Sequence, residues 1–329
     1  MAKKKEKGKE IDISVDGEKI LKEFLKDGKG VDMLIRMRNK MLTESNQIET
    51  LHEENIERLC KMALEEDVRT GDVTTLAIVP ETVQTTAFFT TREDCICCGL
   101  PVMIKLMKML DKYMDITCHV SDGDFCLAGT RLATITGSAR AILTGERTAL
   151  NFMQRLSGVA TMTHKYVEAL GDSVTKILDT RKTTPGYREL EKYAVVKGGA
   201  KNHRIGLYDR FMIKDNHREL AKMEGPDAIA RAIEKCRKYD SSLLVEVEAD
   251  SAEDVIAATL AKADIILLDN MSNQQMAEAI KFINGRCMTE ASGGITLKRL
   301  PSLANLGLDF ISVGALTHSA PSIDIGLDM

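Results

Sequence analysis

"LLVEVEADSAEDVIAATLAKADIILLDN", residues 243–270, decides the fold. It opens on a β-branched apolar run, "LLVEVEA" (243–249), with the composition of a buried strand. "SAED" (251–254) then puts a serine at a helix start with an acid three residues on, and a second apolar run, "DIILLDN" (264–270), closes the unit. A strand, a helix and a strand of this size argue for parallel strands joined by a right-handed crossover.

Working outward, the same rhythm recurs. "KILDT" (176–180), "RFMIKD" (210–215), "CMTEASGG" (287–294) and "FISVGA" (310–315) also read as strands. "SNQQ" (272–275) is a capping box, and "PDAIARAIEKCRKY" places proline near a first helical position. With Asp179, Ile213, Glu246, Leu267, Glu290 and Val313 as markers, the spacings are 34, 33, 21, 23 and 23. Several such units in succession predict an incomplete β/α barrel of TIM type. Upstream, "NIERLCKMALEED" (55–67) is a clean helix, while "VQTTAFFTT", "DITCHV" and "RLATITGSA" are short strands separated by glycine turns. A long helical run from "RAILTGERTALNFMQRLSG" to "THKYVEAL" ends that region. The expected plan is α/β: a charged extension over 1–50, an α/β sandwich domain over 51–160, and a barrel over 161–317.

A chain of 329 residues with 44% hydrophobic and 29% charged residues has the balance of an ordinary soluble protein. Its longest apolar runs are too short to cross a bilayer. "MAKKKEKGKE" is basic with no apolar segment after it, so it reads as a solvated tail rather than a secretory signal. The eight cysteines are scattered, and the cluster "CICC" (95–98) lacks a partner pair at zinc spacing, so buried free thiols in a reducing, cytoplasmic compartment are expected.

Barrel enzymes build their sites at the carboxyl ends of the strands. There the strands deliver Arg181 and Lys182, then Lys214, Asp215 and Asn216, then Glu246 and Glu248, then Asp269 and Asn270. The last two bring Ser292, Gly293 and Gly294, and Gly314 and Ala315. Residues 176–218 carry eleven Lys or Arg against five acids, although the whole chain has net charge −4. A concentrated positive site in an acidic protein points to a small polyanion, because nucleic acid wants a broader basic surface. Arginine suits carboxylates and lysine phosphates, while the two glycine loops bring backbone N–H groups to a phosphate. Glu248 and Asp269 suit ribose hydroxyls, Mg²⁺ or a developing positive charge on a sugar carbon.

"LDTRKTTPGYRELEKYAVVKGGAKNHRIGLYDRFMIKDNH" (178–217) resembles the signature segment of the quinolinate phosphoribosyltransferases, also called nicotinate-nucleotide pyrophosphorylases (carboxylating). "EDVRTGDVTT" (66–75), "GERTALNFMQRLSGVAT" (145–161), "VEVEADS" (245–251), "EASGGI" (290–295) and "ISVGALTHSA" (311–320) continue it. The resemblance implies a sandwich-like first domain joined by residues 318–329, and an open barrel. It implies transfer of phosphoribose from phosphoribosyl pyrophosphate to quinolinate with loss of CO₂, assisted by Mg²⁺, in NAD biosynthesis. Position by position, it implies that Thr180, Arg181, His203, Arg204 and Lys214 hold quinolinate. Lys182, Glu248 and Asp269 would be catalytic, the two acids also facing the metal, directly or through water. Asn270, Ser292, Gly293, Gly294, Gly314 and His318 would surround the phosphoribosyl group. Arg147 would reach the partner's site in a homodimer. A Schiff-base aldolase using Lys182 or Lys214, a relative acting on another aromatic acid, and a non-catalytic anion sensor are the alternatives. The aldolase fits poorly because both lysines adjoin charged residues.

Overall fold

The computed structural model describes residues 36–41, 43 and 46–329, and the basic start read as a solvated tail lies outside them. Helix α1 (Glu53–Asp67) carries Glu53 and Glu54 in its first turn, where carboxylates offset the positive end of the helix dipole. Helix α2 (Val73–Ile78) is capped by Asp72, whose side chain accepts from the Thr75 N–H. The β-rich region resolves into β1 (Gln84–Thr91), β2 (Cys95–Ile96), β3 (Asp115–Cys118), β4 (Phe125–Cys126) and β5 (Arg131–Ser138), with α3 (Leu100–Leu110) after β2. β1, β5 and β3 pair antiparallel, and the end of the chain, β12 (Ile325–Asp328), pairs antiparallel on the free side of β1. Cys95, Cys97, Cys98 and Cys126 are buried free thiols around the small β2–β4 pair.

One continuous helix of 32 residues, α4 (Ala139–Leu170), follows and runs through residue 160 without a break. The returning chain crosses it closely: Arg155 donates to the Ala320 carbonyl and the Ile323 N–H to the Gln154 carbonyl. A Cβ on Gly158 would lie 1.9 Å from the Pro321 carbonyl oxygen, so only glycine permits that crossing.

All six runs read as barrel strands are strands: β6 (Lys176–Leu178), β7 (Phe211–Ile213), β8 (Val245–Ala249), β9 (Ile265–Asp269), β10 (Met288–Ser292) and β11 (Phe310–Ser312). They form one parallel sheet in the order β6-β11-β10-β9-β8-β7, and the barrel is open between β6 and β7. Helix α5 (Arg188–Lys197) lies between β6 and β7, and α6 (Asp215–Lys222) and α7 (Ala228–Tyr239) between β7 and β8. The later crossovers are α8 (Ala252–Leu260), α9 (Asn273–Ile283) and α10 (Leu300–Leu303), and α11 (Ala315–His318) follows β11. Ser251 caps α8, and Ser272 with Gln275 forms the expected box on α9. Helix α7 differs from expectation: Pro226 precedes the cap, and Asp227, at φ 58°, is the residue from which the helix starts. The proline therefore ends the preceding turn instead of opening the helix.

Inside the barrel the side chains stack in layers. Leu178, Leu244, Ile265, Met288 and Phe310 form an apolar cluster of their own, drawn from the amino ends of β8 to β11 and the last residue of β6. Strand periodicity puts Glu246, Leu267, Glu290 and Ser312 in the layer above it, and Glu248, Asp269 and Ser292 at the mouth. The described part of the extension assigned to 1–50 bonds to the barrel. Arg36 reaches Asp309 at 2.7 Å and Asn39 reaches Asp264 at 2.8 Å, at the amino ends of β11 and β9. Gln47 and Ile48 bond Asn202. Among the described residues, no helix is long and apolar enough to cross a membrane.

Candidate active site

A cavity of 560 Å³ opens at the carboxyl ends of the barrel strands. Arg181, Lys182, Arg204 and Lys214 bring cations to its wall, and Glu248 and Asp269 bring acids. Thr180, His203, Asn270, Ser292, Gly293 and Gly294 complete the predicted set that the fold gathers there. Gly314 and His318 stand just behind Lys182 instead of on the wall. A Cβ on Gly314 would lie 3.0 Å from both Lys182 Cδ and His318 Nε2, so the glycine makes room for those two side chains. Arg147 is exposed on α4 and does not line this chain's cavity.

The cation-rich stretch 176–218 is only partly spent on the cavity. Lys192 and Asp179 are fully buried and bonded to each other. Burial pushes the Asp179 carboxyl up and the Lys192 ammonium down, each opposed by the charge of the other. This pair organises the loop above it: Lys192 also donates to the His203 carbonyl at 3.0 Å. Asp179 accepts from Asn202 Nδ2 at 2.7 Å and from the His203 N–H at 2.9 Å. His203 and Arg204 are thereby held at the cavity by residues outside it. Arg210 and Arg218 likewise pair with Glu246 and Asp254. Tyr187 stacks on Phe152, with ring centroids 5.7 Å apart, and Tyr193 donates to Asp122, so both tyrosines are packing residues.

Three placements depart from the sequence reading. Glu246, expected at a strand end with Glu248, sits one layer down and is fully buried. Burial alone would raise its pKa, but His203 and Arg210, each 3.2 Å away, outweigh that and hold it at about 2. His203 lines the cavity, yet its Nδ1 accepts from the Arg204 N–H at 2.7 Å and its Nε2 faces Glu246. Both ring nitrogens are therefore turned to the protein, and neither is free for a substrate carboxylate. The third is Glu290, used above only as a strand marker, which lines the cavity floor together with Met212, Leu267 and Ser312. Its place two residues before Ser292 on an inward-facing strand was the available signal. Donor atoms of His203, Glu246 and Glu290 lie within 4.8 Å of one another, a spacing a metal would accept, but Arg210 already supplies the positive charge.

At the mouth, Lys214 and Glu248 form an ion pair at 2.7 Å, so a quinolinate ligand and a ribose or metal ligand of the sequence reading touch each other. The two polar loops after β9 and β10 also interlock. The Asn270 N–H donates to the Ser292 carbonyl at 3.0 Å, and Gly293, at φ 87°, packs against the Asn270 side chain.

An open β/α barrel whose mouth sets four cations against two carboxylates defines an enzyme that works on small polyanions. Models of the quinolinate phosphoribosyl transferase N-terminal and C-terminal domains match residues 72–157 and 159–328. The chain belongs to that family. It is 42% identical over 265 residues to a probable nicotinate-nucleotide pyrophosphorylase (carboxylating) of Bacillus subtilis, covering 80% of this chain and 90% of that one. A similar enzyme of Mycobacterium leprae is 39% identical over 276 residues, covering 82% of this chain and 95% of the other. Among solved structures, the nicotinate-nucleotide pyrophosphorylase from Francisella tularensis superposes with a TM-score of 0.82 at 42% identity, over 86% of this chain and 99% of that chain.

Proposed function

We infer that the chain is a quinolinate phosphoribosyltransferase (decarboxylating). It transfers phosphoribose from phosphoribosyl pyrophosphate to quinolinate and releases nicotinate mononucleotide, pyrophosphate and CO₂, a step of NAD biosynthesis. The observation that carries the reading is the convergence of Arg181, Arg204 and Lys214 in one cavity with Glu248 and Asp269. An aldolase would need a desolvated, unpaired lysine, whereas Lys214 is ion-paired with Glu248 and partly exposed. A bare anion sensor would have no use for two carboxylates inside its cationic site.

The mechanism follows from where charge develops. Arg181, Arg204 and Lys214 orient the two carboxylates of quinolinate so that its ring nitrogen faces the sugar. As pyrophosphate departs, the ribose carbon gains oxocarbenium character, which Glu248 and Asp269 stabilise, while Lys182 takes up charge on the leaving group. Ribosylation makes the ring nitrogen a cation, and that electron sink lets the adjacent carboxylate leave as CO₂. The arginines must hold the di-acid without binding the departing carboxylate more tightly than the transition state.

Glu248 and Asp269 fit a magnesium ion that arrives with the substrate. Mg²⁺ takes one or two carboxylates, keeps waters and shares substrate phosphates, and these two carboxylates share one cavity mouth. When bound, the ion neutralises pyrophosphate charge. The Lys214–Glu248 pair lets each substrate free a ligand for the other, since engaging Lys214 releases Glu248. Arg147 would complete the site of a second copy in a homodimer, in the cytoplasm.

Incubation with quinolinate, phosphoribosyl pyrophosphate and Mg²⁺ should release CO₂ from carboxyl-labelled quinolinate, and nicotinate should not serve in its place. Turnover of nicotinate at a comparable rate would overturn the reading. Mixing Arg147→Ala and Arg181→Ala proteins, each impaired alone, should restore activity through hybrid dimers, and no recovery would refute the shared site.

A further inference from the structure

Glu290 is fully buried on β10, and among the described residues neither of its carboxyl oxygens has a hydrogen-bond partner. It borders the same cavity as Arg181, Arg204 and Lys214, on the floor instead of the rim. Buried polar groups are almost always partnered, so an unsatisfied carboxyl beside a ligand cavity calls for a partner that comes with the ligand. We propose that Glu290 is a further substrate-binding residue that acts as a neutral acid, donating its carboxyl O–H to a carboxylate of the aromatic di-acid. The inference rests on the reading of the cavity as a quinolinate site.

The surroundings support the neutral form. From β8, Glu246 faces Glu290 as a carboxylate, which the Arg210 guanidinium and a contact with His203 Nε2 hold in its charged form. From the loop after α5, His203 Nε2 stands 3.6 Å from Glu290 Oε1, but its nearer contact is with Glu246. From β9 comes the apolar Leu267; His203, the Ser312 hydroxyl of β11 and Arg210 favour the charged form, but burial and Glu246 outweigh them. Burial, then the charge of Glu246, pushes the Glu290 carboxyl up to about 7. Two carboxylates at close range favour one proton between them. A negative charge on Glu290 would meet a dianionic substrate with repulsion, whereas the O–H meets it as a donor. Binding of the di-acid therefore favours the protonated form and takes up a proton wherever Glu290 is ionised in the free protein.

The test is calorimetric titration of the full chain with quinolinate between pH 6 and 9. For the wild type, Kd should rise about tenfold for each pH unit above about 8, and binding at pH 8.5 should take up about one proton, read from buffers of different ionisation enthalpy. Glutamine keeps a donor without a proton to lose, so the Kd of Glu290→Gln at pH 9 should stay within about threefold of its own value at pH 6.5. An alkaline slope that persists in Glu290→Gln overturns the proposal, because His203 or another group would then own it. If that variant does not fold, the wild type still decides: no proton uptake at pH 8.5 sinks the idea. Absence of quinolinate binding at every pH would instead contradict the functional reading itself.

Discussion

Replacing Arg181 by alanine tests the site most directly. Arg181 lines the cavity from the end of β6, and its Nε is buried with no hydrogen-bond partner among the described residues. Its guanidinium is thus held for something that is not part of the chain. A hydrogen bond to a charged group contributes about 1.5–3 kcal/mol, and an arginine fork against a carboxylate makes two. Part of that energy offsets the ordering of the side chain, which leaves about 3 kcal/mol, or about two orders of magnitude in kcat/KM for quinolinate. Stability should barely change, because Arg181 makes no ion pair among the described residues; melting within about 2 °C of the wild type is expected. The assay is initial rate against quinolinate at saturating phosphoribosyl pyrophosphate, with melting curves run in parallel. Arg181→Lys should recover only part of the loss, since ammonium cannot form the fork. A folded Arg181→Ala protein within about fivefold of wild-type kcat/KM would refute the assignment and the inference from an unpartnered nitrogen to a ligand contact.

Asp179→Ala should destabilise the protein by about 3–5 kcal/mol, since it strands the buried Lys192 ammonium without its partner; a chemical-denaturation change below about 1 kcal/mol would contradict it. Gly293→Ala places a Cβ 2.1 Å from Asn270 Oδ1 at a φ of 87°, so KM for phosphoribosyl pyrophosphate should rise while calorimetric quinolinate binding holds. Equal losses for both substrates would mean a general collapse of the mouth. Folded Glu290 keeps its proton up to a pH near 7, against 4.5 for an ordinary glutamate, so the wild type loses stability as pH rises through that window. Glu290→Gln removes this loss. Its melting temperature relative to wild type should therefore climb from pH 4.5 to pH 8, by an equivalent of at most about 3 kcal/mol, and a pH-independent difference would show that Glu290 is not raised.

The local pattern alone determined the strands, the crossover helices with serine starts, and the sheet-rich first domain. Each rests on interactions within a few residues: β-branched runs, a capping hydroxyl, a glycine turn. It also placed Arg181, Lys214, Glu248 and Asp269 at strand ends, because the carboxyl ends of barrel strands and the loops that follow them share one face. Tertiary structure alone decided how the charges divide. Lys192 and Lys214 lie in the same basic stretch, yet one is buried against Asp179 and the other lines the cavity. Glu246 and Glu248 differ by one two-residue strand repeat, and only the layering of the barrel tells the fully buried residue, paired with Arg210, from the one at the mouth, paired with Lys214. Desolvation and partner charges act between residues far apart in the chain, such as His203, Glu246 and Glu290, and those distances exist only once the sheet has closed around them.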